Sequence, residues 1–413
     1  MTKKALRKEL SKTGTSKISP QEILSASERL FDSQVSWRRH LHMYPEVANT
    51  EFKTTAFITD LVEKTGLRVL PIKMKTGVLA ELKGSKPGPS IALRADIDAL
   101  PITEETNLPF KSKHIGCMHA CGHDVHTATG LGVAHLLSQM RERLCGTVRF
   151  IFQPAEECPP GGARPMIANG ALKDVSTIFS LHVDPSVPVG QIGLRDGAAL
   201  AAAIDFDLTI SGVSGHAARP HLCVDALVTG AEVIHSLQTI VSREVDPISP
   251  VAITIGQFHS GTARNVIAQT AHIIGTARTL SPEIAKQLPV LIKRTAESIC
   301  AARGAKLEMK LIADYPPMIN DAGVNRRFAR GFERLYTGKE IITTPQSLGG
   351  EDFACYLEKV PGAMMRLGVQ NKKIGADKPW HHPAFMADER ALTVGTAVLS
   401  TVICDALGVL SDQ

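Results

Sequence analysis

The sequence predicts an α/β protein, a layered domain interrupted by a smaller α+β domain. In the first part of the chain, strand-like runs alternate with helical periodicities, the pattern of a layered sheet. Between about residues 198 and 312 the order changes to β-α-β-β-α-β, the split βαβ arrangement of ferredoxin-like units. A length of 413 residues is too great for one ordinary core and suits two or three domains.

The elements follow in order. Residues 1–20 are polar and basic and predict a mobile tail. Ile23, Leu24, Leu30, Phe31 and Val35 recur at helical spacing across residues 21–40. Residues 50–66 repeat the pattern, with Gly66 as a stop. Residues 77–82 and 91–94 predict strands around a Gly/Pro turn. Residues 127–140 predict a helix, and 147–152 and 178–182 predict strands. In the inserted segment, strands are expected at 204–211, 250–258, 266–280 and 306–311. Helices there are expected at 225–242 and 282–303, the second opened by Ser281 as N-cap. The expected organisation is a first domain from 21–197 and 313–413, with 198–312 inserted.

Composition excludes several classes. Hydrophobic residues are 44% and charged residues 21%, so wholesale disorder is not expected. A net charge of +5, from 46 basic and 41 acidic residues, gives no argument for nucleic acid, and 5% aromatics leaves few stacking platforms. The basic N-terminus lacks an apolar leader core, and no run approaches the roughly 18 apolar residues of a membrane span. Eight cysteines in so long a chain read as thiols of a reducing compartment, predicting a cytoplasmic protein.

The chemistry concentrates in a few segments. Residues 117–126 carry Cys117, His119, Cys121, His123 and His126, with Asp124 besides, and thiolate and imidazole are preferred ligands of Zn²⁺ and related ions. Gly122 lets Cys121 and His123 turn toward one centre. Asp96 and Asp98 share a side of an expected strand end. Glu156 and Glu157 repel one another unless something positive lies between them, which a metal would supply, one as ligand and the other as general base. His182 ends another strand, and His381 and His382 offer two more imidazoles. Gly349 and Gly350 permit a close backbone approach to substrate or ligands. Strand ends of open α/β sheets converge on one crevice, so these residues can enclose one or two metals. Lowering the pKa of water from 15.7 to about 7 is worth about 12 kcal/mol, against about 3–5 kcal/mol for a carboxylate base alone.

The ordered motifs WRRHLHMYPE, ALRADIDALPI, GCMHACGHDVHTATG, IFQPAEE, LHVDP, GVSGHAARPH, GGEDFA and HHPAF resemble the metal-dependent amidohydrolases that include hippurate hydrolase, N-acyl-amino-acid amidohydrolases and auxin-conjugate hydrolases. The resemblance covers nearly the whole chain from about residue 30. It implies a catalytic α/β/α sandwich with a mixed sheet and an inserted ferredoxin-like dimerisation domain. It implies two divalent ions, Mn²⁺ or Zn²⁺ with Co²⁺ or Ni²⁺ as alternatives, held by Cys121, His123, Glu157, His182 and His381, with Glu156 as general base and acid. His381 is favoured over His382 because relatives keep the His two residues before Pro. Asp98 resembles a supporting carboxylate. His216 resembles a group that polarises the scissile carbonyl, often in the other subunit of a homodimer, and Asn265 and Arg278 match substrate-contacting positions. Ala268 and Gln269 depart from the Pro and Asp that relatives commonly show. The implied substrate is an N-acyl amino acid or short peptide. Two rival readings are a thiol hydrolase using Cys121 and a non-catalytic metal- or peptide-binding protein of the same fold.

Overall fold

The computed structural model describes residues 17–411. Contacts divide the chain into two compact units: residues up to 197 with 320–345 and from 356 onward, and residues 198–319 with 346–355.

Ser19 caps α1 (Pro20–Arg29) by accepting from the Glu22 N–H at 3.2 Å. The chain breaks at Leu30 and resumes as α2 (Phe31–Met43), so the helix expected over 21–40 is two helices. Of the expected tail, residues 1–16 lie outside the described residues, whereas Ile18 is fully buried and bridges Leu410, so the ordered chain begins before residue 20. After α3 (Phe52–Lys64) come β1 (Arg68–Leu70), β2 (Val78–Lys83) and β3 (Lys86–Asp96). Helix α4 (His123–Gln139) begins four residues earlier than its periodicity indicates, so His123 and His126 lie on its first turn. The strands β4 (Cys145–Gln153), β5 (Val175–Pro188) and β6 (Ile192–Leu194) complete the first stretch of this unit.

The second unit begins with β7 (Gly197–Leu200) and β8 (Ala202–Ser211). It continues through α5 (Ala226–Thr239), β9 (Val251–Ser260), β10 (Thr270–Thr279), α6 (Pro282–Arg303), β11 (Lys306–Tyr315) and β12 (Met318–Asn320). Its sheet order, β11-β8-β10-β9 with every neighbour antiparallel, is that of the split βαβ fold. Ile204, Phe206, Leu208 and Ile210 alternate inward from β8 against Leu288, Ile292 and Ala296 of α6. Ser281 caps α6 as expected, accepting from the Ile284 N–H. The return to the first unit falls at 320 rather than 313 because β11 runs on to Tyr315, and residues 346–355 pack with the second unit.

The remaining elements, α7 (Ala322–Leu335), β13 (Ile341–Thr343), β14 (Gly362–Gln370) and α8 (Ala391–Ala406), belong to the first unit. Its mixed eight-stranded sheet runs β1-β2-β4-β3-β5-β14-β6-β13. Strands β4, β3, β5 and β14 are mutually parallel, and their buried runs are nearly continuous in apolar residues. Register aligns their C-terminal halves: Asp96 faces Gln153, Arg94 faces Ser180, and His182 faces Arg366.

Candidate metal centre

The centre is built on that level of the sheet. Beyond β3 the chain continues through Asp98, and beyond β4 it turns sharply into Glu156 and Glu157. Ala155 adopts φ +57° and His381 φ +64°, left-handed values unusual for residues with a side chain, and both flank or carry candidate ligands. Gly122, at φ +85°, is the N-cap of α4, and a Cβ there would lie 2.4 Å from Val183 Cγ2. Only glycine fits between Cys121 and His123.

Ligand-type atoms meet in overlapping sets. Those of Cys121, His123 and His182 all lie within 4.8 Å of one another, as do those of Cys121, Glu157 and His381, and those of His123, Glu156 and Glu157. Cys121 Sγ is 3.4 Å from His182 Nε2, and His381 Nε2 is 3.3 Å from Glu157 Oε1. His123 donates through Nδ1 to the Asp98 carbonyl at 2.9 Å. In the neutral imidazole its Nε2 would carry the lone pair, and this fully buried atom has no hydrogen-bond partner among the described residues. Asp98 also accepts from the Glu157 N–H at 2.9 Å, tying two ligand segments together. Asp96, His123 and His126 form a further set, in which Asp96 is held by Arg94 and by His126.

Electrostatics favour a cation. Burial, followed by the charges of Glu157, Glu156 and Asp96, pushes the Cys121 thiol well above its ordinary value. Burial pulls the His123 imidazole down, but Asp96, Asp98 and Glu157 outweigh it and raise it to about 10. Burial and the nearby His126 and Arg366 charges hold His182 well below its usual range, so it is a neutral imidazole. The carboxylates around Cys121 and His123 favour positive charge there, and a divalent ion would supply it in place of protons. The donor set of thiolate, imidazole and carboxylate fits Zn²⁺ or Mn²⁺.

The remaining candidates lie in the second unit. His216 is exposed and sits in a two-stranded turn: it bridges Val266, the Ala217 N–H donates to the Asn265 carbonyl at 3.1 Å, and the Ile267 N–H donates to the Gly215 carbonyl at 2.9 Å. The Ala218 N–H donates to His216 Nδ1, leaving Nε2 as the N–H-bearing atom. Arg278 donates to Thr276 Oγ1 and lies beside Gly350, where an added Cβ would be 3.3 Å from its Nη1. Gly349 accepts from the Ala201 N–H. His382, the alternative to His381, instead caps a local turn by accepting from the Ala384 N–H. Sequence reasoning assigned no role to Trp380 or Val183, yet the Trp380 indole N–H and His182 Nδ1 both donate to the Val183 carbonyl, contacts that no motif signals.

Residues 92–405 match the model of Peptidase family M20/M25/M40. The chain is 42% identical over 377 residues to an N-acetylcysteine deacetylase of Bacillus subtilis, covering 90% of this chain and 97% of that one. It is 37% identical over 361 residues to thermostable carboxypeptidase 1 of Saccharolobus solfataricus, covering 87% and 91%. Among solved structures it is similar to the YXEP protein of Bacillus subtilis, described as a dinuclear metal binding peptidase from the M20 family. That similarity has a TM-score of 0.80 at 39% identity and covers 92% of this chain and 99% of that one.

Proposed function

The chain belongs to the M20/M25/M40 peptidase family of metal-dependent amidohydrolases, and from that premise we propose that it cleaves the amide bond of N-acyl amino acids using two divalent ions. The observation that carries this reading is the pair of donor sets sharing Cys121, with the buried His123 Nε2 unmatched among the described residues. In the proposal, Cys121, His123, Glu157, His182 and His381 would hold the two ions.

Divalent ions supply Lewis acidity, which makes water acidic near neutral pH and polarises a carbonyl. Glu156, buried beside Glu157 and His123, takes the proton of the attacking water and delivers it to the leaving amine. Asp98 fixes the His123 tautomer and orients Glu157. His216 offers its Nε2–H to the developing oxyanion, and Asn265 and Arg278 bind the substrate's carboxylate and carbonyl oxygens. Gly349 and Gly350 line the same substrate region. The chain acts as a homodimer in the cytoplasm, each copy lending His216 to the other. The substrate class is supported by what two relatives are named for, a deacetylated amino acid and a C-terminal peptide residue, which share an amide next to a free α-carboxylate.

Glu156→Gln tests the assignment: turnover of N-acetyl and N-benzoyl amino acids should fall by about 10²–10⁴-fold while both ions stay bound. Near-parental turnover would remove Glu156 from the chemistry. The thiol-hydrolase alternative is disfavoured because a nucleophilic cysteine needs a lowered pKa, and that of Cys121 is raised. Activity in metal-free protein that is abolished by alkylation would restore that alternative.

A further inference from the structure

Val183, a residue with no reactive group, bonds the proposed ligand His182 directly and lies against Gly122 and Trp380, chain neighbours of three more. Its carbonyl accepts from His182 Nδ1 at 2.8 Å and from Trp380 Nε1 at 3.0 Å. Its N–H donates to His126 Nε2 at 2.9 Å. His126 donates in turn through Nδ1 to Asp96 at 2.5 Å, and Arg94 Nη1 grips Asp96 at 2.6 Å. The Val183 side chain fills the space over Gly122, between Cys121 and His123. One residue therefore sets the His182 tautomer, leaving its Nε2 lone pair 3.4 Å from the Cys121 sulfur, and touches the segments of three other proposed ligands.

His381 most needs such a tether. It is an exposed residue in a left-handed conformation, on a stretch without regular structure between residues 375 and 390. Its backbone is held by its N–H, which donates to the Ala120 carbonyl at 2.9 Å, and next to it by the Trp380 indole. The indole is itself clamped, with the Arg366 guanidinium 5.6 Å from the ring centroid and the His182 ring edge-on at 5.7 Å.

We propose that Val183 is the common anchor of the metal centre, and that Trp380 is a positioning residue whose N–H joins the segment of the proposed ligand His381 to the His182 strand. This rests on the two-ion reading above. Trp380→Phe keeps a ring in place and deletes only the donor. Metal-free protein is titrated with Mn²⁺ and with Zn²⁺ against a competing chelator, and loaded with Co²⁺ for its visible spectrum. Trp380→Phe should fold like the parent by circular dichroism and bind the first equivalent unchanged. It should bind the second roughly tenfold more weakly, alter the Co²⁺ bands, and lose kcat more than KM. If it takes both equivalents with parental affinity and spectrum, the role of Trp380 is overturned. If the parent itself binds fewer than two ions, the two-ion reading fails instead. A second measurement needs no change at the site. The chain has two tryptophans, so Trp37→Phe leaves Trp380 as the only emitter, and its fluorescence should shift on metal loading. An unchanged spectrum in an ion-loaded Trp37→Phe variant would overturn the proposal as well.

Discussion

Cys121 sits where a free thiolate is electrostatically forbidden, and this shapes how the protein takes up metal. Burial and three carboxylates raise its thiol, and Asp96 helps raise His123 to about 10, so both carry protons at neutral pH in the metal-free protein. Each must lose a proton to become a ligand. Metal affinity should therefore rise with pH between about 6 and 8, and calorimetry in buffers of different ionisation enthalpy should find protons released on binding. Binding without proton release would contradict this. Gly122 is equally constrained: Gly122→Ala would drive a methyl into Val183 at a left-handed φ, and bound metal measured by elemental analysis should drop below two per chain. His119 sits behind the site, fully buried, with both ring nitrogens unpartnered among the described residues and its pKa lowered to about 3, chiefly by burial. A folded pKa below the unfolded value means that the unfolded chain binds the extra proton first. Stability is thus lost as pH falls below about 6.5, at roughly 1.4 kcal/mol per unit from this one group. Urea denaturation of metal-free His119→Leu should show a shallower loss between pH 6.5 and 4 than the parent.

At the scale of elements, α4 and its neighbour α2 carry the centre's foundation. Nearly every residue of α4 is buried, so it has no solvent face to betray its period, which explains why its start was misplaced by pattern alone. Asp124 on its first turn accepts from Arg38 Nε at 2.7 Å and from His42 Nδ1 at 2.8 Å, and all three are almost fully buried. Burial disfavours the Asp124 charge, but Arg38 and His42 more than offset this and hold its carboxyl well below the usual range. Removing one partner of such a pair strands a buried charge. Arg38→Met should cost about 3–5 kcal/mol in urea unfolding, and a cost under about 1 kcal/mol would show that the network is dispensable.

At the scale of the molecule, the proposed reaction depends on ions that would be held by segments far apart in the chain. Dialysis against a chelator should abolish hydrolysis, and Mn²⁺ or Zn²⁺ should restore it; activity that survives complete metal removal would defeat the proposed function. Light scattering should find a dimer, and an active monomer would rule out exchange of His216 between copies. Much of this architecture was legible beforehand. The split βαβ order and the Ser281 cap came directly from alternation and capping chemistry, because an antiparallel sheet with one buried face writes its period into the sequence. The elements after residue 313 were not read from pattern. Helix α8 is buried on almost every side and β14 is a central parallel strand, so neither has a polar face to mark it.

The sequence by itself determined which side chains are able to hold metal and move a proton: Cys121, His123, Glu156, Glu157, His182 and His381 were all identifiable from residue type, spacing and resemblance. Only the tertiary structure decided that they meet. The parallel register of β3, β4, β5 and β14 brings the ligand-bearing segments to one level. The tertiary structure also decided that His381 faces Glu157 while His382 caps a local turn, and that His182 and Trp380 share the Val183 carbonyl. The reason is physical: ligand chemistry belongs to side chains and leaves its mark in the sequence. Backbone carbonyls and N–H groups are the same at every residue, and become specific only when the fold aims them.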